Sequence, residues 1–185
     1  MKFRSFSKIA VALSAAAMSL STVAAPITWS ANGHEYEAIS APSTSWADSR
    51  TQAMGLGAGW DLATITSMDE QNFIVGLVGP GNGSLTEYYI GGLYENGAWG
   101  WVTGETWSFT YWGGGEPNGN AGEPRLALDS RYNVPNWGWN DYTGAGSSFV
   151  LGFVAERSAA VPEPASLALL GLGLLGLVRT KRRAS

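Results

Sequence analysis

The chain of 185 residues has no cysteine. Disulfides, thiolate zinc sites, thiol nucleophiles and iron–sulfur clusters are therefore excluded, and a small domain must hold together without the cross-links such domains often use. Histidine occurs once, at His34. That removes multi-histidine metal centres and leaves any Ser-His-Asp arrangement resting on one residue. Its setting, "NGHEYEAIS", reads as a plain surface or strand-edge histidine. Basic residues are nearly missing between the two ends. Arg50, Arg125, Arg131 and Arg157 stand there against fourteen Asp and Glu, a net charge of −10, whereas the whole chain carries −4. Such a body is poorly suited to nucleic acid or anionic lipid; it suits cation binding, or serves solubility alone.

The ends differ from the body. Lys2, Arg4 and Lys8 precede "IAVALSAAAMSLSTVAA", a short apolar run closing on small residues. These are the parts of a secretory signal over residues 1–24, with cleavage expected after Ala24. Residues 159–185 hold "VPEPASLALLGLGLLGLVRTKRR". The run Ala165 to Val178 has 14 residues, which as a helix is about 21 Å long, short of a hydrocarbon core about 30 Å thick. The basic cluster at Arg179, Lys181, Arg182 and Arg183 keeps that end cytoplasmic and the body outside. The Pro-Glu-Pro triplet, marginal apolar run and basic end resemble the PEP-CTERM sorting tail of bacterial envelope proteins. The resemblance implies a transient inner-membrane anchor, removal by a membrane peptidase, and a final place at the cell surface or in the matrix of a bacterium that makes exopolysaccharide.

Residues 25–158 form one domain's worth of chain and hold all nine Trp. Large side chains of this kind let a short chain build a sufficient core, so most of the Trp are expected there. "HEYEAIS" alternates as a strand. Ser45 with Asp48, and Ser67 with Glu70, read as capping boxes opening two helices. In the first, Trp46, Ala47, Arg50, Ala53 and Met54 share helical spacing; the second is expected to bury Phe73, Ile74 and Leu77, before Gly79-Pro80 stops it. "WDLATITS" between them reads as a short strand. "EYYIGGLY", "GAWGWVTG", "WSFTYW", "LALDSRY", "WGWNDY" and "SFVLGFVAE" then read as strands parted by Gly and Asn. Helices first and antiparallel strands after make an α+β domain.

The order and wording resemble the C-type lectin-like domains over about Tyr36 to Glu156. "YYIGGL" stands where that family has Trp-Ile-Gly-Leu, and "EPN", "WND" and "FVAE" stand at its loop entry and last strands. The resemblance implies two helices, small antiparallel sheets and a long calcium-binding loop. One departure is plain. The family's four cysteines are replaced by Ala53, Ala155, Arg125 and a residue between Tyr142 and Gly146, a loss of about 2–4 kcal/mol per bridge that packing or a metal has to offset.

In "EPNGNAGE", Glu116 and Asn118 flank Pro117, which the resemblance expects to be cis, and Glu123 closes the loop. Asn140 and Asp141 follow on a later strand. Calcium takes six to eight oxygens at about 2.3–2.6 Å from carboxylates, amide carbonyls and water. The resemblance implies that Glu116, Asn118, Glu123, Asn140 and Asp141 hold Ca2+ and also contact the sugar. Glu-Pro-Asn goes in that family with mannose, glucose, fucose or N-acetylglucosamine-type sugars. An accessory calcium site is not expected, because Gly119 and Pro124 occupy two of its ligand positions; Asp69 and Glu70 read as helix N-terminal charges. The expected function is calcium-dependent binding of carbohydrate or exopolysaccharide at the bacterial surface, without catalysis. The alternative is a matrix or adhesion protein that uses the same fold for protein contact.

Overall fold

The computed structural model describes residues 25–158. The expected secretory signal and the sorting tail lie outside the described residues; among those described, no helix is long and apolar enough to cross a membrane. The elements are β1 (Ile27–Thr28), β2 (Glu35–Ser40), α1 (Trp46–Gly55), β3 (Trp60–Leu62), α2 (Met68–Val78), β4 (Glu87–Glu95), β5 (Ala98–Trp101), β6 (Arg125–Asp129), β7 (Gly138–Tyr142) and β8 (Val150–Arg157).

Both helices start where the sequence places them. Ser45 Oγ accepts from the Asp48 amide at 3.1 Å and Ser67 Oγ from the Glu70 amide at 3.2 Å. Each bond satisfies one of the free N–H groups of a first turn. The α1 face is shifted from expectation: Trp46, Ser49 and Ala53 are buried, while Met54 is exposed. In α2 the fully covered residues are Glu70, Gln71 and Ile74, with Phe73 and Leu77 packed against the core from its edge. Gln71 is buried with its amide in three hydrogen bonds. It donates to the Asn136 and Trp137 carbonyls and accepts from Trp139 Nε1 at 2.9 Å.

The α+β class and the helix-then-strand order hold. The strands join into one eight-stranded sheet rather than separate antiparallel ones, with the path β1-β2-β8-β4-β6-β7; β3 pairs with β8, and β5 with β4. The β4–β8 pair is parallel. "WSFTYW" is not a strand. Trp107, Phe109 and Tyr111 alternate as in a strand, but they pack as an extended loop on the Trp99, Trp101 and Trp139 cluster, and only Trp112 makes a bridge, to Trp139.

The positions of the missing cysteines are filled. Ala53 and Ala155 are both fully buried in the second core cluster, with Trp46, Leu62 and Phe153. Arg125 lies over the Trp46 ring at 4.7 Å. Gly144 has φ +81°, and a Cβ there would stand 2.7 Å from Arg125 Cγ, so the guanidinium stem occupies the space beside it. Glu70 stands in the first turn of α2 as expected, but both it and His34 are engaged more deeply than the sequence indicates. The His34 ring contacts Glu156, and Glu70 is buried, accepting from Tyr36 Oη at 2.5 Å and from the Thr66 amide at 2.7 Å.

Candidate functional site

β7 is the last strand on the sheet path, and the segment before the long loop runs along its edge: Trp139 N donates to Tyr111 O and Gly113 N to Trp139 O, both at 2.8 Å. Gly113 is needed there, because a Cβ would fall 2.3 Å from the Tyr132 ring. Gly115, at φ +93°, then turns the chain into Glu116. The Glu116–Pro117 peptide is cis, as the resemblance expected. A short 3-10 turn, Asn120–Gly122, carries the chain to Glu123.

Asp141 binds this loop to β7. Its Oδ1 accepts from the Asn118 amide at 2.9 Å, and its Oδ2 from the Gly119 and Asn120 amides at 2.7 and 2.9 Å. Consecutive strand residues point to opposite faces. Asn140 and Asp141 nonetheless border one cavity, because the loop folds over the edge of the sheet where they lie. That cavity, of about 340 Å³, is bordered by all five residues singled out from the sequence, Glu116, Asn118, Glu123, Asn140 and Asp141. Asn118 is exposed, Glu116 and Glu123 are half-buried, and Asn140 and Asp141 are buried.

Glu87, Arg131 and Tyr132 also border the cavity and were not foreseen as part of the site. Glu87 opens the apolar run "EYYIGGLY", and a charge at that place was the available signal. Its Oε1 accepts from Asn140 Nδ2 at 3.2 Å, which leaves the Asn140 carbonyl oxygen for another partner. Tyr132 Oη donates to Glu116 Oε1 at 2.8 Å. Glu116 Oε2 and Glu87 Oε2 are buried with no hydrogen-bond partner.

The electrostatics are one-sided. Burial, then Asp141 and Glu123, push the Glu116 carboxyl above its usual range, with the Tyr132 hydroxyl opposing. Burial and Asp141 push Glu123 up. Burial raises Glu87 to about 7, with Asp129 and Glu123 adding and Asn140 and Arg131 opposing. Arg131 is the one base bordering the cavity, and its guanidinium is held by both oxygens of Asp129. Four carboxylates thus face one space whose single cation is already paired. An uncompensated buried carboxylate oxygen costs about 1–3 kcal/mol or more. Oxygen-rich, net-negative and lined by unpartnered oxygens, the cavity has the donor chemistry of a hard divalent cation such as calcium.

Leu85, Tyr142 and Phe149 form the apolar part of the border, the two rings in edge contact at 6.0 Å. Trp137 and Trp139 are buried and Trp112 packs on the core, in keeping with their expected framework role.

A family model for the PEP-CTERM protein-sorting motif matches residues 160–183. C-type lectin domain family 4 member D of Homo sapiens is 32% identical over 120 residues, covering 63% of this chain and 52% of that protein. The chain thus spans about half the length of that relative. The solved C-type lectin CEL-I from Cucumaria echinata superposes with a TM-score of 0.58 at 21% identity, covering 74% of this chain and 99% of that one. A calcium-independent type II antifreeze protein superposes almost as well, with a TM-score of 0.57 at 20% identity over 76% of this chain and 99% of its own.

Proposed function

Taking as premise the C-type lectin fold that this chain has, and the PEP-CTERM sorting motif it carries, we propose that it is an exported, calcium-dependent carbohydrate-binding protein of the bacterial surface. One observation supports this above the others: the convergence of Glu116, Asn118, Glu123, Asn140 and Asp141 on one net-negative cavity in which Glu116 Oε2 has no partner. In this reading those five residues hold Ca2+. Calcium held there would supply a Lewis-acidic centre on which sugar hydroxyls replace water.

The chain's own groups do the rest. An Asn amide donates to each hydroxyl and a carboxylate accepts from it. Glu116 and Asn118 serve one hydroxyl, Glu123 and Asn140 the other. Asn140 Nδ2 spends one N–H on Glu87 and keeps the second for the ligand. Asp141 Oδ1 carries one hydrogen bond and retains a free lone pair. The Glu-Pro-Asn triplet favours mannose-type ligands over galactose. Contact with a single sugar is small and wet, so useful affinity comes from many copies facing a polysaccharide. The sorting motif supports delivery through the inner membrane and removal of the tail by a membrane peptidase. No catalytic step belongs to this reading.

Thermal unfolding with millimolar calcium and with chelator tests it. Calcium raises the midpoint of the wild-type protein, because a ligand that binds only the folded state stabilises it. Glu116→Gln removes most of that rise. An unchanged midpoint in calcium would instead favour protein contact through a calcium-free form of the fold.

A further inference from the structure

A second polar cluster lies apart from the lectin cavity and is built from three separate segments. His34 sits at the head of β2, Glu105 on the loop after β5, and Glu156 near the end of β8. One ligand atom from each lies within 4.8 Å of the other two. We propose that His34, Glu105 and Glu156 form a binding site for a zinc-type divalent cation, one that clasps the N-terminal hairpin to the sheet. The proposal is independent of the calcium reading.

The cluster has the marks of a built site. Glu156 is 2% exposed, and its Oε2 is aimed by the Thr64 amide at 2.7 Å. Its Oε1 meets His34 Nδ1 and lies 3.3 Å from Tyr36 Oη. Glu105 Oε1 is buried and has no hydrogen-bond partner. The loop that carries it is fixed to the sheet side by Thr103 Oγ1, which lies 2.7 Å from the Thr64 hydroxyl. Glu70 adds a third carboxylate alongside, but its oxygens are taken by Tyr36 and by the amide and hydroxyl of Thr66.

Charge accounting points the same way. Among the described residues the only basic side chains besides His34 are four arginines, and each is engaged elsewhere: Arg50 with Asp61, Arg131 with Asp129, Arg157 with Glu35, and Arg125 over Trp46. Three carboxylates are therefore gathered around one imidazole, which supplies at most a single positive charge. A divalent cation balances them. An imidazole nitrogen with two carboxylate oxygens suits zinc and its first-row neighbours, whereas calcium prefers all-oxygen sites. The His34 side chain is 20% exposed, which leaves a side open for entry and for a water ligand. The clasp also adjoins Ala155, where the fold lacks a cross-link, so the metal ties β8 to the hairpin and to the β5 loop near that position.

The test is zinc binding to the full-length protein after metal stripping, followed by titration calorimetry and metal analysis. One zinc per chain is expected. His34→Ala and Glu105→Gln each weaken its affinity by more than about 10-fold, since losing a direct ligand costs at least as much as losing an outer-shell partner. Glu116→Gln leaves zinc affinity unchanged, which separates this site from the lectin cavity. Absence of zinc binding, or wild-type affinity in both cluster variants, overturns the proposal. Should a variant not fold, cobalt(II) added to the wild-type chain decides. Visible bands of a nitrogen- and oxygen-bound tetrahedral ion support the site, and the spectrum of aqueous cobalt refutes it.

Discussion

Asp141→Asn is expected to destabilise the protein in the presence of chelator, before any question of calcium arises. The carboxylate accepts three loop amides, those of Asn118, Gly119 and Asn120. An asparagine keeps one carbonyl oxygen, enough for the Asn118 amide, and turns an NH2 group toward the other two donors. Two charge-assisted bonds at about 1.5–3 kcal/mol each are lost, a gross cost of about 3–6 kcal/mol. Two effects reduce it. Asn118 and Asn120 are exposed, so freed amides nearby regain water, and removing the charge relieves repulsion with Glu116 and Glu123. A net loss of about 2–4 kcal/mol remains, worth about 8–16 °C in Tm for a domain of this size. Thermal unfolding in chelator reads the total, and hydrogen exchange at the amides of residues 118–120 reads its location. A Tm within about 1 °C of wild type, with unchanged exchange at those amides, would refute the claim that Asp141 organises the loop.

Two further outcomes follow from the same geometry. Gly119→Ala places a Cβ 2.4 Å from Glu123 Oε2 and 2.6 Å from Glu123 Cβ, at a φ of −108° that alanine accepts. The fold is expected to survive while Glu123 is displaced, so calorimetry should show calcium affinity falling at least about 10-fold, with Tm in chelator nearly unchanged. Glu87 gives a pH dependence whose sign is fixed by its raised carboxyl, about 7 in the fold. The protonated form is the one the fold favours. Its contribution is complete below the ordinary carboxylate range and is lost as pH rises through about 7, roughly 3 kcal/mol in all. Glu87→Gln in chelator should therefore be more stable than wild type at pH 8 and show a shallower decline with pH. Glu156, raised to about 7 mainly by burial, leaves a residual slope in that variant.

Local signals carried the sequence reading a long way. Ser45 and Ser67 announced both helix starts because an N-cap is a contact between near neighbours. Gly79 ended α2 at φ +85° for the same local reason. What depended on distant chain was less legible. The "WSFTYW" segment alternates like a strand, yet alternation records only that one side is covered; here aromatic rings cover it, and its end makes a single bridge to β7 at Trp112–Trp139 that does not continue as a ladder. Met54 has the helical spacing of a core residue but is exposed, whereas Ser49 and Ala53 on the same helix are fully buried. The two-residue strand β1 exists only through its pairing with β2.

The site shows the same division. The family resemblance named the five residues that border the cavity, and three of their four intervals are short because they lie within one loop or one strand. Glu87 and Tyr132 could not be found that way, since β4 and the turn after β6 reach the cavity only through the sheet. His34, read as a plain surface or edge residue, meets Glu156 across 122 positions of sequence, a contact that no local pattern encodes.

The most direct test of the central claim is retention of the protein on immobilised mannan in calcium and its release by chelator. Retention in millimolar calcium, elution by chelator or by free mannose, and loss of retention in Glu116→Gln are the results expected. Retention that persists in chelator, or none in calcium when the protein is folded, would contradict calcium-dependent sugar binding at this cavity.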